Sequence, residues 1–422
     1  MVSSIRYSLW LLYNCAVVAL AALWRRLMGH VTVVAITGSV GKSTASKCLQ
    51  TILSSRFEYV GTNSVDNGRY GLPRVLLKIR PRHRFAVLEV GIVKPGRMWR
   101  SARMIRPDIV VVTGIANRHM KNFASIKEVA SEKGRLVRGL KKDGLAVVNR
   151  NDDRVVSLAN GLRCRTAFFG SSCDTVWADE VSATWPNRLR LRVNASDGSH
   201  WLQTKLVGRH WVTSVIAAIA TAKCCGVSVG ESVEALQDIG PPLARLDPSP
   251  TPQGAIVLRD EFNGSVTTYL AALRILNETQ IRRRIVVCGT VVDAASPPCD
   301  IPTLAAEMCA SSERVLFVGP HNLEVSRAVI SAGMPPDQVH RFTTAREAAD
   351  FLLHEIRSGD LILLRGQAQD HLSRLYFALW GDVKCWKHDC RFVPLCDGCA
   401  ELGFNPLHEG APETMELFFP PH

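Results

Sequence analysis

The chain has 422 residues, more than one hydrophobic core ordinarily serves, and its length suits two or three domains. Apolar residues make up 47% and charged residues 21%, so a large core can be buried and wholesale disorder is excluded. With 51 Lys and Arg against 38 Asp and Glu, the net charge of +13 favours acidic partners. No RNP, KH or C2H2 pattern accompanies it, which puts phosphate-bearing small molecules and membrane ahead of nucleic acid.

The first segment with a pattern is Leu9 to Leu23, an apolar run broken by Asn14, with Arg6 before it and Arg25-Arg26 after it. A spanning helix needs roughly 17–25 residues, so this run is near the minimum. Residues 1–29 are expected to form a hydrophobic, membrane-associated helix. Trp10, Tyr13 and Trp24 would lie at the interfaces. A cleaved signal peptide is an alternative, although no small-x-small site follows. An interfacial or partner-binding helix is another.

Residues His30 to Ile36 then read as a buried strand, Thr37-Gly38-Ser39-Val40-Gly41-Lys42-Ser43-Thr44 as a Gly-rich turn, and Ala45 to Ser54 as a helix. Strand, turn and helix in that order make a phosphate cradle. Backbone N–H groups and the helix N-terminus meet the anion, Lys42 reaches the outer phosphates, and Ser43 is placed for Mg2+. The loop is shorter than the common phosphate loop, because Ile36 stands where the first glycine is usual.

This short loop resembles the ATP loop of the Mur ligase superfamily, T-G-x-x-G-K-[ST]-[ST], and further segments follow in the family's order. Asn63 to Pro73 is similar to its Asn-rich loop before Gly-x-Pro, with Asn67 the matching residue. Phe85 to Gly91 resembles the strand ending in E-x-G, and Pro107 to His119 the strand and turn ending in a histidine. The resemblance implies that Glu89 and His119 serve two Mg2+ ions. It also implies that Lys133, in the helix Ser125 to Leu136, is carbamylated by CO2 and so able to hold a metal. Gly144 to Asp152 is similar to the N-x-D-[DN] segment, which puts Asn149 on the nucleotide. Gly208-Arg209-His210 resembles the G-x-H-N…N helix, but Trp211 and Ser214 replace both asparagines. Adenine would stack on Trp211 instead, or the contact differs.

Beyond the Pro241-Pro242 linker, the resemblance places Arg245 on phosphate, Asp260 on the nucleotide and Asn263 in shaping its loop. Strands at Arg284 to Cys288, Val315 to Val318 and Leu361 to Leu364 alternate with helical stretches, indicating a doubly wound α/β domain. Gly359 to Gln367 resembles the D-x-[VIL]-L-[VIL]-K-G-S strand, with Arg365 for Lys and Gln367 for Ser. The family's segment faces the incoming amine, so a different amine is expected.

The expected architecture is α/β. A central Mur-type phosphate-loop ATPase domain (30–243) precedes a smaller Rossmann-like C-terminal domain (244–384). The resemblance is strongest to the branch that adds D-alanyl-D-alanine. That branch's N-terminal UDP-sugar domain has no room before residue 37, which argues against the ordinary UDP-muramoyl substrate. The implied activity is ATP-dependent joining of a carboxylate to an amine through an acyl phosphate, with Mg2+. A cell-envelope precursor is the expected substrate, at the cytoplasmic face of the membrane or in the cytoplasm, with a partner subunit allowed for. A membrane-held nucleotide-binding scaffold is the alternative.

There are 13 cysteines. Nine lie scattered in apolar stretches and read as reduced thiols. The tail, 385–422, carries Cys385, Cys390, Cys396 and Cys399 with His388 between them. The spacing suits a structural zinc site, and unliganded thiols or a redox role are the alternatives.

Overall fold

The computed structural model describes residues 2–62, 68, 71–92, 94–116, 122–172, 174–292, 300–387, 390 and 395–403, and of residues 2–11 the backbone alone. The chain divides into two compact units. The first comprises residues 1–182, 189–205 and 209–239, and the second residues 183–188, 206–208 and 240–422.

In the first unit, helix α1 (Val2–Leu27) leads into strand β1 (Thr32–Thr37) and helix α2 (Lys42–Ser54). There follow β2 (Tyr59–Gly61), α3 (Gly71–Leu77), β3 (Phe85–Glu89), α4 (Arg97–Ile105), β4 (Ile109–Val112), α5 (Ile126–Val137) and β5 (Leu145–Asn149). Helix α6 (Asp153–Ala159), β6 (Arg165–Gly170), β7 (Val176–Ser182), β8 (Arg190–Ala195), β9 (Gly198–Gln203), α7 (Val212–Cys224) and α8 (Val229–Leu236) complete the unit. The described strands form one sheet in the order β2-β3-β1-β4-β5-β6-β7-β8-β9, parallel through β7 and antiparallel beyond it. The inner strands are continuous apolar runs because helices cover both faces: β3 and β5 are buried throughout. Parallel strands also direct their C-terminal ends to one edge, where an α/β sheet presents its chemistry. Thr37, Glu89 and Asn149 each close a strand at that edge.

The N-terminal segment forms a helix, α1, but not a free membrane-associated one: its second half is seated on the domain. Ala21 and Met28 are buried in the same core cluster as α3 and α4 residues, and Val18, Ala22 and Trp24 pack against it. Trp24 Nε1 donates to Ile79 O at 3.0 Å. The buried Arg25 donates to Ile105 O, Met28 O, Arg106 O and Asp108 Oδ2. Arg25 therefore does not flank a free anchor; its guanidinium closes α1 onto the end of α4. Among the described residues no helix is long and apolar enough to cross a membrane.

In the second unit the elements are β10 (Asp247–Pro250), β11 (Ile256–Asp260), α9 (Val266–Glu278), β12 (Arg284–Cys288), α10 (Ile301–Ser311) and β13 (Arg314–Val318). Then come α11 (Leu323–Ser331), β14 (Val339–Phe342), α12 (Ala345–Glu355), β15 (Leu361–Arg365) and α13 (Ser373–Ala378). The sheet order is β10-β11-β15-β12-β13-β14, with only the β10–β11 pairing antiparallel. Two apolar clusters cover its two faces, as a doubly wound sheet requires. Cys396 and Leu402 belong to the second cluster and Trp386 packs against it, so this part of the Cys-rich tail is core.

Candidate functional site

The phosphate loop leaves β1 and enters α2 through two glycines with positive φ. Gly38 has φ +153° and Gly41, the residue capping α2, φ +80°. Both are also sterically fixed. A Cβ on Gly38 would lie 2.0 Å from Thr113 Oγ1, and one on Gly41 2.5 Å from Ser214 Oγ. Glycine is needed twice over, for its backbone freedom and for the missing atom. Thr113 and Ser214 hold the loop from outside: Thr113 Oγ1 donates to Val40 O at 2.6 Å, and Ser214 Oγ donates to Gly41 O at 3.1 Å. Ser39 donates its N–H to Gly114 O and its hydroxyl to Ala116 O.

Two lysines converge on one loop carbonyl. Lys42 Nζ and Lys133 Nζ each donate to Gly38 O at 2.9 Å. Both are buried, Lys133 with 4% of its surface exposed. Lys133 is therefore not a solvated helix lysine: α5 brings it to the phosphate loop from 95 positions along the chain. Helix α5 is started by Ser125, whose side chain accepts from Glu128 N. One turn on, the buried Glu132 accepts the backbone N–H of Met98, tying α5 to α4.

Glu89 ends β3, one strand over from the loop, and is 2% exposed. Its backbone N–H donates to Thr62 Oγ1 at 2.7 Å. A solvated strand-end role for Glu89 does not fit that burial. Ser43 and Thr44 occupy the first turn of α2, and Thr44 Oγ1 is buried without a hydrogen-bond partner. An orphaned hydroxyl in the first turn of α2 and a cradle that admits no Cβ fit a phosphate group and its Mg2+. Asn149 uses its amide internally: Nδ2 donates to Thr113 O at 2.8 Å and Oδ1 accepts from Asn151 N. Asp152 Oδ2 accepts Ile115 N at 2.7 Å. Both brace the turn after β4, which leads toward His119. His119 and Asn67 lie outside the described residues.

Trp211 corrects an expectation. It is 8% exposed, tilted against His210 with ring centroids 4.4 Å apart, and its Nε1 is buried without a partner. It is a packed residue at the start of α7 and offers no open face for adenine.

In the second unit, Asp260 and Arg365 end the neighbouring strands β11 and β15 and form an ion pair. Arg365 also donates from Nη2 to Asn263 O at 2.6 Å. Burial, and then the nearby Arg245, lower the Arg365 pKa to about 9. Arg245 lies over the Phe262 ring, 4.3 Å from its centroid. Gln367 donates its backbone N–H to Asp370 Oδ2, which also accepts Thr290 N. Asp370 thus joins the ends of β12 and β15. Sequence reasoning missed it together with Thr62 and Thr113, since a single Thr or Asp just past a strand carries no pattern.

The four tail cysteines are not gathered. Among the described residues no three His, Cys, Asp or Glu side chains are arranged to hold a metal ion. Cys396 Sγ instead accepts from Arg374 Nε at 3.2 Å and lies 3.5 Å from His371 Nδ1. The tail is pinned by its neighbour: Asp397 takes two hydrogen bonds from the fully buried Arg259, whose Nε also bonds Glu261. The zinc expectation is not met, and His388 lies outside the described residues.

Fold and loop together define a phosphate-loop α/β protein with a second, doubly wound unit. Residues 36–222 match the family model of the Mur ligase middle domain. The chain is 26% identical over 311 residues to the UDP-N-acetylmuramoyl-tripeptide--D-alanyl-D-alanine ligase of Escherichia coli, covering 73% of this chain and 69% of that one. It is 22% identical over 340 residues to the Bacillus subtilis ligase of the same name, covering 79% and 72%. Its fold is shared with MurF from Acinetobacter baumannii, at TM-score 0.78 and 23% identity over 87% of this chain and 80% of that one. It is shared too with MurF ligase from Thermotoga maritima in complex with ADP, at TM-score 0.73 and 17% identity over 86% and 83%. Residues 36–222 are thus similar to the Mur ligase middle domain, and the chain as a whole is similar to ligases that add D-alanyl-D-alanine.

Proposed function

We propose that this Mur-type ligase uses MgATP to join a carboxylate to an amine on a peptide precursor of the cell envelope, working on the cytoplasmic side of the membrane. The observation that carries the reading is the convergence of Lys42 and Lys133 on Gly38 O, beside a loop that only glycine can form. Relatives named as ligases that add D-alanyl-D-alanine support the reaction class.

ATP binds along the loop, with its outer phosphates on the α2 N-terminus and Lys42. The acid's carboxylate oxygen attacks the γ-phosphorus, giving an acyl phosphate and ADP. The amine then attacks the acyl carbon, phosphate leaves with the bonding pair, and the amine's proton passes to solvent. Lys42 and the loop N–H groups hold the charge that moves through the phosphoryl group. Mg2+ supplies charge neutralisation, with Ser43, Glu89 and His119 as its proposed ligands. Lys133 is proposed to be carbamylated, which turns a cation beside the loop into a carboxylate. In the second unit, Arg245, Asp260 and Asn263 are proposed to serve the nucleotide, with Asp260 released from Arg365 when they do. Asn67 and Asn149 complete the proposed nucleotide set in the first unit.

The test is ADP release with MgATP, bicarbonate, and pooled acids and amines. Release should require one acid pool and one amine pool, and Lys42→Ala should lower it at least 100-fold. Full activity in Lys42→Ala defeats the mechanism. The pairing of Asp260 with Arg365 favours a second reading, a nucleotide-binding scaffold, and ATP binding without turnover in every pool would select it.

A further inference from the structure

The net charge of this protein is not spread over it. Residues 2–30, 71–88 and 94–107 hold thirteen Lys and Arg and no Asp or Glu. The rest of the chain holds 38 of each sign, so these three segments account for the whole excess. They are distant in sequence but adjacent in space: α1 packs on α3 and α4, and His30 Nε2 lies 3.0 Å from Pro81 O.

Helix α1 divides this surface. One side, with Asn14, Ala21, Arg25 and Met28, is buried. The opposite side carries Leu12, Ala16, Leu20, Leu23 and Leu27, which at 100° per residue fall within one 80° stripe. The four leucines are 67%, 54%, 52% and 62% exposed. Arg74 and Lys78 are exposed on and just after α3, and Arg100, Arg103 and Arg106 on and just after α4. Trp99 is exposed among them, 5.8 Å from the Arg103 guanidinium. Among the described acids beside the surface, Asp108 is engaged with Arg25 and Glu58 with Arg82.

We infer that this face binds an anionic lipid surface, with α1 lying in the plane of the interface. An apolar stripe flanked by cations and an exposed Trp satisfies acyl chains and headgroups at once. A duplex would meet the cations and leave the leucine stripe in water. A second copy docked by the same face would set exposed cations against exposed cations. The inference is independent of the ligase reading, since binding is measured without turnover.

The experiment is co-sedimentation of the full chain at 0.1 M NaCl with vesicles of phosphatidylglycerol and phosphatidylcholine in equal parts, and with phosphatidylcholine alone. Binding should be at least 30-fold tighter to the anionic vesicles. The triple variant Arg74→Glu, Arg100→Glu, Arg103→Glu should bind on the order of 100-fold more weakly, given roughly five-fold per cation near such a surface. Leu20→Asp with Leu23→Asp should lose at least ten-fold, and both variants should keep the wild-type unfolding temperature. A measurement on the wild type covers the case in which they do not fold: brominated acyl chains should quench its tryptophan fluorescence, and less so in Trp99→Phe. Equal binding to both vesicle types, or no binding, overturns the inference. So does an unchanged Leu20→Asp, Leu23→Asp variant, a duplex that outcompetes the vesicles, or a dimer that this variant splits.

Discussion

Gly41 shows how much one residue decides. Its φ of +80° is a conformation that L side chains rarely adopt, and its missing Cβ leaves the space in which Ser214 Oγ reaches the loop. Gly41→Ala should cost about 1–3 kcal/mol in urea unfolding. Adding Ser214→Gly should recover only part of it, because the clash goes while the backbone strain stays. Full recovery would mean that φ at Gly41 costs nothing. Loop, glycines and Lys42 were all legible in the sequence, since a phosphate cradle is a local object made by eight consecutive residues. Lys133 was legible only through resemblance. Its burial and its bond to Gly38 O arise from the placement of α5, which no local spacing encodes. Ser214 read as a departure from a family asparagine, yet it braces the loop. Trp211 invited stacking as a sequence feature and proves to be packed.

Among elements, α1 and the tail segment around Asp397 are attached in the same manner, by a buried arginine. Arg25 donates to three backbone carbonyls and to Asp108. Arg25→Met should destabilise the first unit by about 3 kcal/mol, since those carbonyls lose a buried partner. A change below 0.5 kcal/mol in denaturant unfolding would show that α1 is not held there. In the second unit, Arg259 lies between Asp397 and Glu261, and Glu261 Oε2 has no hydrogen-bond partner. Burial raises the Glu261 carboxyl above its usual value, opposed by Arg259 and aided by Asp397. A carboxyl whose folded pKa is raised binds more protons folded than unfolded. Stability therefore falls as pH rises from the ordinary Glu value, near 4.5, through the raised one. Glu261→Gln should flatten that slope and be tolerated best at neutral pH. An unchanged slope would assign the pH dependence to another group. Neither attachment was legible in the sequence: Arg25 read as a flanking charge of a membrane segment, and Asp397 as a residue between two zinc-ligand candidates.

At the scale of the whole molecule, the sequence by itself determined the α/β class, the phosphate loop and the resemblance to Mur ligases, because each is written in residues that are neighbours or in motifs that keep their order. Apolar runs mark strands that will be buried on both faces, and a Gly-rich turn between strand and helix has one use for its N–H groups. Only the tertiary structure decided what distant residues do together. It turned an apparent anchor into a helix docked on one side and bare on the other. It joined three acid-free segments, far apart along the chain, into one cationic surface. It put Cys396 against Arg374 and His371 and left no described metal cluster in the tail. The physical reason is the same in each case. Burial and ion pairing are settled by which faces meet, and a hydrophobic or charged residue carries no mark of the partner that folding will bring to it.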